Sequence, residues 1–367
     1  MRSRLARIAA VADIELRRLL RARTTFTLLL VVPALQVALF GYAIQPVATS
    51  IIVGIAADSD VSARRVAEVL HVSPDLEVIT TRLPAGTAAA AVKRGAILVG
   101  VEVPPLATLT SVFAGPAPLQ VFIDDTNPAL VSGLVAQLQA TYWRAVAERS
   151  SPDERLPLSI VRLYNPHQRA DWSFVPALIG VVVMISSIML GSLSLARERE
   201  IGTWEALLAL PITKAEIMAG KLLPYIVTGT LQGMLVLGIG DWLFDLPMRG
   251  SIVALLLLLP VFAAAHVILG YAIATRAATQ LEALQGAVAF YLPAMLLSGF
   301  LYPFETLPAW ARVAGNLFPL THFIRAARGA ALRGDDFAMV VSQGVPIAAF
   351  AVVLVVLALA TPAPKLD

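Results

Sequence analysis

The chain has no cysteine among its 367 residues. Disulfides, cysteine–zinc sites and cysteine nucleophiles are therefore excluded. Histidine is nearly as scarce. The four present, His71, His167, His266 and His322, share no metal-ligand spacing. Charge is sparse too: charged residues make up 14% of the chain and hydrophobic residues 58%, against roughly 25% and 45–50% in soluble domains. Most of this chain is built to sit in lipid. A net charge of +3 is too small to argue for nucleic acid. ATP chemistry is also missing. Gly220-Lys221 is followed by Leu222, so the phosphate-cradling spacing with its Ser or Thr after the lysine is broken. No Walker-B strand or Ser/His/Asp constellation is readable, so the chain is not expected to be an enzyme or to hold a cofactor or metal.

What is abundant is long apolar sequence. Six runs of membrane length stand at 25–44, 174–195, 222–239, 251–274, 285–301 and 340–360, each near the ~20 residues that a ~30 Å hydrocarbon core requires. The fifth is short and interrupted by Pro293. The run at 25–44 is too long for a signal-peptide core and reads as an uncleaved anchor. Before it stand Arg2, Arg4, Arg7, Arg17, Arg18, Arg21 and Arg23 against Asp13 and Glu15, which places this end in the cytoplasm. Alternation then puts Arg197, Arg199, Lys214, Lys221, Arg276 and Lys365 inside, with both termini. The outer stretch 302–338 conflicts with the rule, because it carries Arg312, Arg325, Arg328 and Arg333. Residues 1–24 read as an interfacial helix, with Leu5, Ile8, Ala12, Leu16 and Leu19 on one side and Arg7, Arg17, Arg18 and Arg21 opposite.

Between the first two runs, 45–171 alternates strand-like and helix-like segments. Strands are expected at 51–57, 76–81, 96–103 and 119–124, and helices at 62–71, 86–94 and 128–149. This pattern implies an α/β domain outside the membrane. Asp124 and Asp125 sit at a strand-to-helix turn, where adjacent acids serve as caps and Asx turns more often than as a cation site. The fold class is thus an α-helical polytopic membrane protein with an α/β extracytoplasmic domain inserted between spans one and two, followed by a five-helix region at 172–367.

The most informative segment is 197–213, Arg-Glu-Arg-Glu-Ile-Gly-Thr-Trp-Glu and onward to Pro211 and Thr213. It is read as a short amphipathic helix over 197–211, wedged between two spans. At about 100° per residue, Ile201, Trp204 and Leu208 share a stripe with Glu198 and Glu205 beside it. Pro211 stops the helix, and Thr213 with Glu216 forms a capping box for the next one. Inside the spans, His266, Gln232 and Gln285 are polar candidates. An ionisable group in a span is a functional candidate by default; a hydrogen bond to a neighbouring helix is the plain alternative.

The 197–211 segment, with Gly220-Lys221-Leu222-Leu223-Pro224-Tyr225, resembles the permease subunit of type-2 ABC exporters. It is most similar to the branch with a large extracytoplasmic domain, the multidrug-efflux permeases. Ser298-Gly299-Phe300-Leu301-Tyr302-Pro303-Phe304-Glu305, Leu307-Pro308, Asn316, Pro319-Leu320-Thr321-His322-Phe323 and Arg328-Gly329 agree with it. The resemblance implies a bacterial cytoplasmic (inner) membrane location. It also implies pairing with a second copy or a paralogue, and separate cytoplasmic ATPase subunits that bind the ATP. A periplasmic adaptor is a further partner to consider. The short helix would be the coupling helix, with Arg197, Glu198, Glu200, Ile201, Gly202, Thr203, Trp204, Glu205, Leu208 and Pro211 as contact residues. Gln232, His266 and Gln285 would be translocation-path candidates, and the cargo hydrophobic or amphipathic. The rival readings are a membrane-anchored sensor or scaffold with a ligand-binding outer domain, and an ion-coupled carrier. The second would want several ionisable residues in its spans.

Overall fold

A computed structural model describes residues 2–21, 31, 33–37, 50–60, 63–64, 77–103, 119–126, 135, 139, 158–165, 169–203, 211–302, 304 and 307–360. The chain divides into two compact units. One comprises Met1–Ala43, Phe174–Leu301 and Ala309–Asp367; the other comprises Ile44–Ser173 and Tyr302–Pro308.

The helical unit opens with α1, Arg2–Arg21. Among the described residues, four helical stretches are long and apolar enough to cross a membrane: Ala170–Ile201, Lys214–Phe244, Ile252–Ala274 and Phe337–Ala358. The first three are α3, α4 and α5. Helix α6, Gln280–Leu297, matches the fifth expected run but falls short of that group, because Gln280, Glu282 and Gln285 dilute its first turns. It also runs unbroken through Pro293, correcting the expected interruption. A proline in a membrane helix loses one backbone bond without ending the helix when its surroundings accommodate the freed carbonyl. Pro176, Pro224 and Pro260 sit inside α3, α4 and α5 in the same way. Short helices α7 (Ala309–Gly315) and α8 (Pro319–Arg328) follow, then a π-turn at Gly329–Arg333. Helices α9 (Phe337–Ser342) and α10 (Gly344–Ala360) complete the described chain. The expected span at 25–44 lies outside the described residues except at 31 and 33–37, which are helical.

Helix α3 is the most buried of the four membrane-length helices. It crosses α5 where both carry glycine. A Cβ on Gly191 would stand 2.1 Å from the Val267 carbonyl oxygen, and one on Gly270 would stand 2.1 Å from that of Ile188. Small residues let membrane helices approach to backbone contact, because lipid supplies no hydrophobic force to drive them together. Two of the four arginines that conflict with the orientation rule are engaged inside the unit: Arg328 donates to the Gly299 carbonyl at 3.1 Å, and Arg333 pairs with Asp335 at 3.4 Å.

The second unit is built on a five-stranded mixed sheet, order β2-β1-β3-β4-β5, from β1 (Ser50–Ala56), β2 (Glu77–Leu83), β3 (Val99–Glu102), β4 (Leu119–Asp124) and β5 (Leu158–Leu163). Strand β1 runs parallel to β2 and β3, β4 is antiparallel to β3, and β5 is parallel to β4. Helix α2, Ala88–Lys93, packs Ala91 and Val92 with Ile97 against Leu83, Phe122 and Leu163. Glu102 at the end of β3 accepts the Gly86 and Ala88 amides, capping that helix. The sequence reading lacked β5. The expected helices at 62–71 and 128–149 fall almost wholly outside the described residues.

Candidate functional site

The end of α3 is where the charges of the helical unit converge. Arg197, Glu198, Arg199 and Glu200 occupy successive positions about 100° apart on one helix, so their side chains leave in different directions. Each of the last three reaches a different partner. Glu198 is 3% exposed; it accepts from Arg18 of α1 at 2.5 Å and from Lys221 of α4 at 3.1 Å. Arg199 donates to the carbonyls of Ala274, Thr275 and Ala277 at 3.4, 2.7 and 3.3 Å, so its positive charge meets the C-terminal end of α5. Glu200 accepts the backbone amide and side-chain amide of Gln280 at the start of α6, at 3.0 and 2.9 Å. Arg197 is exposed.

Helix α3 then ends on glycine. The Gly202 amide bonds the Arg199 carbonyl at 3.1 Å and the Thr203 amide bonds that of Glu198 at 2.9 Å. Gly202 has φ +79°. These are the two bonds of a Schellman stop, which needs a left-handed residue after the helix. Glycine at 202 is thus required by the chain's own backbone, and Arg197–Ile201 are the last turn of a 32-residue helix rather than the first turn of a separate short one. The rest of the expected short helix, 204–210, lies outside the described residues. Thr203 returns a hydroxyl hydrogen bond to the Glu198 carboxylate.

Helix α4 starts on the expected capping box. The Thr213 hydroxyl accepts the Glu216 amide at 3.3 Å, and the Glu216 carboxylate accepts the Thr213 amide at 2.9 Å. Its other oxygen accepts from Arg7 of α1 at 2.7 Å. One turn on, a Cβ at Gly220 would stand 2.7 Å from the Val11 side chain and 2.9 Å from the Ile8 carbonyl oxygen, so glycine there lets α1 lie directly on α4.

Beneath these contacts lies a buried polar knot. Lys221 is 2% exposed; its ammonium donates to Glu15 of α1 at 3.4 Å, to Glu198 at 3.1 Å and to the Ser194 carbonyl at 3.2 Å. The Tyr225 hydroxyl donates to the other oxygen of Glu15. Two buried carboxylates thus face two cations, buried Lys221 and part-exposed Arg18, beside an apolar cluster that includes Leu19, Leu195, Met218 and Leu222. Such a group is tolerated because every charge has a partner. Sequence reasoning missed Glu15, Arg18, Lys221 and Tyr225 as a set. The signal was local: Glu15–Arg18 and Lys221–Tyr225 have same-face helical spacing, and Lys221 is an ammonium entering an apolar run.

Of the expected contact residues, Arg197, Glu200, Ile201, Gly202, Thr203 and Pro211 are exposed. Glu198 is buried in the knot, and Trp204, Glu205 and Leu208 lie outside the described residues. The path candidates are dispersed. Gln232 is 1% exposed and donates to the Ser186 hydroxyl at 3.0 Å. His266 is fully buried. Its Nδ1 donates to the Phe262 carbonyl one turn back in its own helix at 2.9 Å, not to a neighbouring helix. Gln285 is exposed near the start of α6.

Helix α1 also differs from the expected two-faced arrangement. Val11, Glu15 and Leu19 are buried against α4, while Leu5, Leu16 and Leu20 are 65%, 42% and 55% exposed. Arg7 and Arg18 turn into the unit rather than away from it. In the other unit, Asp124 accepts the Thr126 amide at 3.0 Å, an Asx turn, and Asp125 is paired with Arg162 at 3.1 Å. Asp124 thus makes the expected Asx turn, and one carboxylate oxygen of Asp125 is taken by Arg162.

Residues 23–360 match the family described as "ABC-2 family transporter protein". The chain belongs to the ABC-2 transporter family. This ABC-2 permease is similar to the Escherichia coli K12 protein named "Probable multidrug ABC transporter permease YbhR", 32% identical over 210 residues, 56% of this chain and 57% of the relative. It thus spans little more than half of that relative's length. The E. coli K12 protein "Probable multidrug ABC transporter permease YbhS" is 26% identical over 346 residues, 90% of this chain and 89% of the relative. A Dictyostelium discoideum protein, "ABC transporter G family member 20", is 25% identical over 219 residues, 59% of this chain and 30% of the relative.

Proposed function

We propose that this permease is the membrane half of an ATP-driven exporter. It works as a homodimer, or with a paralogous permease, beside cytoplasmic ATPase subunits that bind the nucleotide. Six spans lie in the bacterial inner membrane with both termini cytoplasmic. The α/β unit is inserted between spans one and two on the outer side, where a periplasmic adaptor can meet it. The observation that carries the reading is the wiring of the Arg197–Glu200 tail: one helix end is bonded to α1, α4, α5 and α6, so force applied beside it reaches the whole helical unit. The relatives' names, probable multidrug ABC transporter permeases, support the transport class, and the scarcity of charge in the spans favours hydrophobic or amphipathic cargo.

In this reading 197–211 is the coupling segment. Arg197, Glu200, Ile201, Gly202, Thr203, Trp204, Glu205, Leu208 and Pro211 contact the ATPase, and Glu198 holds position from inside. Gln285 is retained as a path residue, while Gln232 and His266 serve packing. The test is co-purification of the solubilised chain with the products of its neighbouring genes, followed by reconstitution in lipid. ATP turnover that depends on the permease and is lost in Trp204→Asp, with the permease still folded, is the expected outcome. A chain that captures no ATPase, or a variant with unaltered turnover, would overturn it in favour of a sensor or scaffold.

A further inference from the structure

The two carboxylates that close the ends of the 202–213 connection are held by the same helix. Glu198 anchors the α3 end, where its carboxylate takes the Thr203 hydroxyl, and it is bound by Arg18 at 2.5 Å. Glu216 anchors the α4 end through the Thr213 box and is bound by Arg7 at 2.7 Å. Arg4 also approaches Glu216 at 4.0 Å, but its side chain is 75% exposed. Arg7 and Arg18 are eleven residues apart on one continuous helix, which sets their separation at about 16 Å along the axis. Helix α1 is itself pinned by Glu15 on Lys221 and Tyr225, and by Val11 on Gly220.

We propose that α1 is a two-point splint: Arg18 on Glu198 and Arg7 on Glu216 set the spacing of the two ends from which the 202–213 connection is strung. This deepens the coupling role proposed above and rests on it for its consequence. A connection whose ends could move independently would absorb a push by bending. One whose ends are tied to the same rigid helix passes the push to α3 and α4 together. Arg7 and Arg18 are accordingly positioning residues. The splint also explains why two arginines of an otherwise exposed basic helix are turned inward.

The absence of cysteine makes a direct test possible on the full chain. Spin labels are placed on Ala10→Cys with Ile201→Cys, and separately on Ala10→Cys with Ala215→Cys; all three positions are exposed. Each pair reports one end of the splint. Arg18→Ala is expected to broaden and shift the first distance distribution while leaving the second. Arg4→Ala with Arg7→Ala is expected to do the reverse. Arg17→Ala, which removes an exposed pair with Asp13, should alter neither. Where an alanine variant fails to yield monodisperse protein, Arg18→Gln or Arg7→Gln is read in its place. Unchanged distributions, or both pairs broadening together in each variant, would overturn the splint. ATP turnover of the lipid-reconstituted complex separates the two ideas. End-specific broadening with normal turnover keeps the splint and removes its coupling consequence, whereas unchanged distributions remove the splint whatever the turnover.

Discussion

Lys221 shows how far one side chain can be committed. Its ammonium is buried between two carboxylates and a carbonyl, and removing one member of a buried ion group costs about 3–5 kcal/mol because the remaining charge is stranded. Lys221→Met should therefore lower the melting temperature of the detergent-solubilised chain sharply. Adding Glu15→Gln should recover much of the loss, since Arg18 and Glu198 then balance. If the double variant melts below the single one, charge balance is not what holds the knot. Gly202 makes a smaller contribution. An alanine forced to its left-handed φ costs about 1–2 kcal/mol, and Gly202→Ala should loosen the α3 stop without touching the knot.

At the scale of elements, the α3–α5 crossing is set by Gly191 and Gly270. Gly191→Ala places a methyl against the Val267 carbonyl, where something must shift. Overpacking of this kind costs about 1–3 kcal/mol. Lower thermal stability is expected for Gly191→Ala, whereas Gly238→Ala, whose added carbon would meet nothing within 4 Å, should be silent. In the sheet unit, burial pushes the Asp125 carboxyl above its ordinary range, more than Arg162 pulls it down, with Asp124 adding to the rise. A raised acid holds its proton more tightly when folded. Its contribution is therefore fully present below the ordinary aspartate pKa and lost as pH rises through the folded value. Hydrogen exchange of β4 in the full chain, compared at each pH with Asp125→Asn, should show wild-type protection falling relative to the variant across that window. Parallel curves would remove Asp125 as the cause.

At the scale of the whole molecule, large apolar side chains face outward on the membrane-length helices. Leu223, Val227 and Leu231 on α4 and Val345, Val352, Val353 and Val356 on α10 are all at least 49% exposed. Lipid covers such surface on a membrane-length helix, and the dimer proposed above would cover part of it. Native mass measurement of the reconstituted exporter is expected to give two copies of this chain with two ATPase subunits; a complex with a single copy would contradict the dimer.

Sequence alone determined the membrane character, the start of α4 at the Thr213–Glu216 box, the ends of α5, four of the five described strands, and the family. These rest on local rules: apolar run length, cap residues three apart, strand alternation and motif spacing, all of which act within a turn or two of the residue concerned. Only the tertiary structure decided that Glu198, expected at a surface, is buried, that Gly202 ends a long helix, and that Arg7 and Arg18 point inward. It also decided that Glu15, Lys221 and Tyr225 meet at all. Apart from the Gly202 stop, which is local, those facts belong to pairs some 180 to 210 residues apart. No local pattern encodes which distant charge will neutralise a given one; the packing of α1 on α4, admitted by the missing side chain at Gly220, brings them within hydrogen-bond reach.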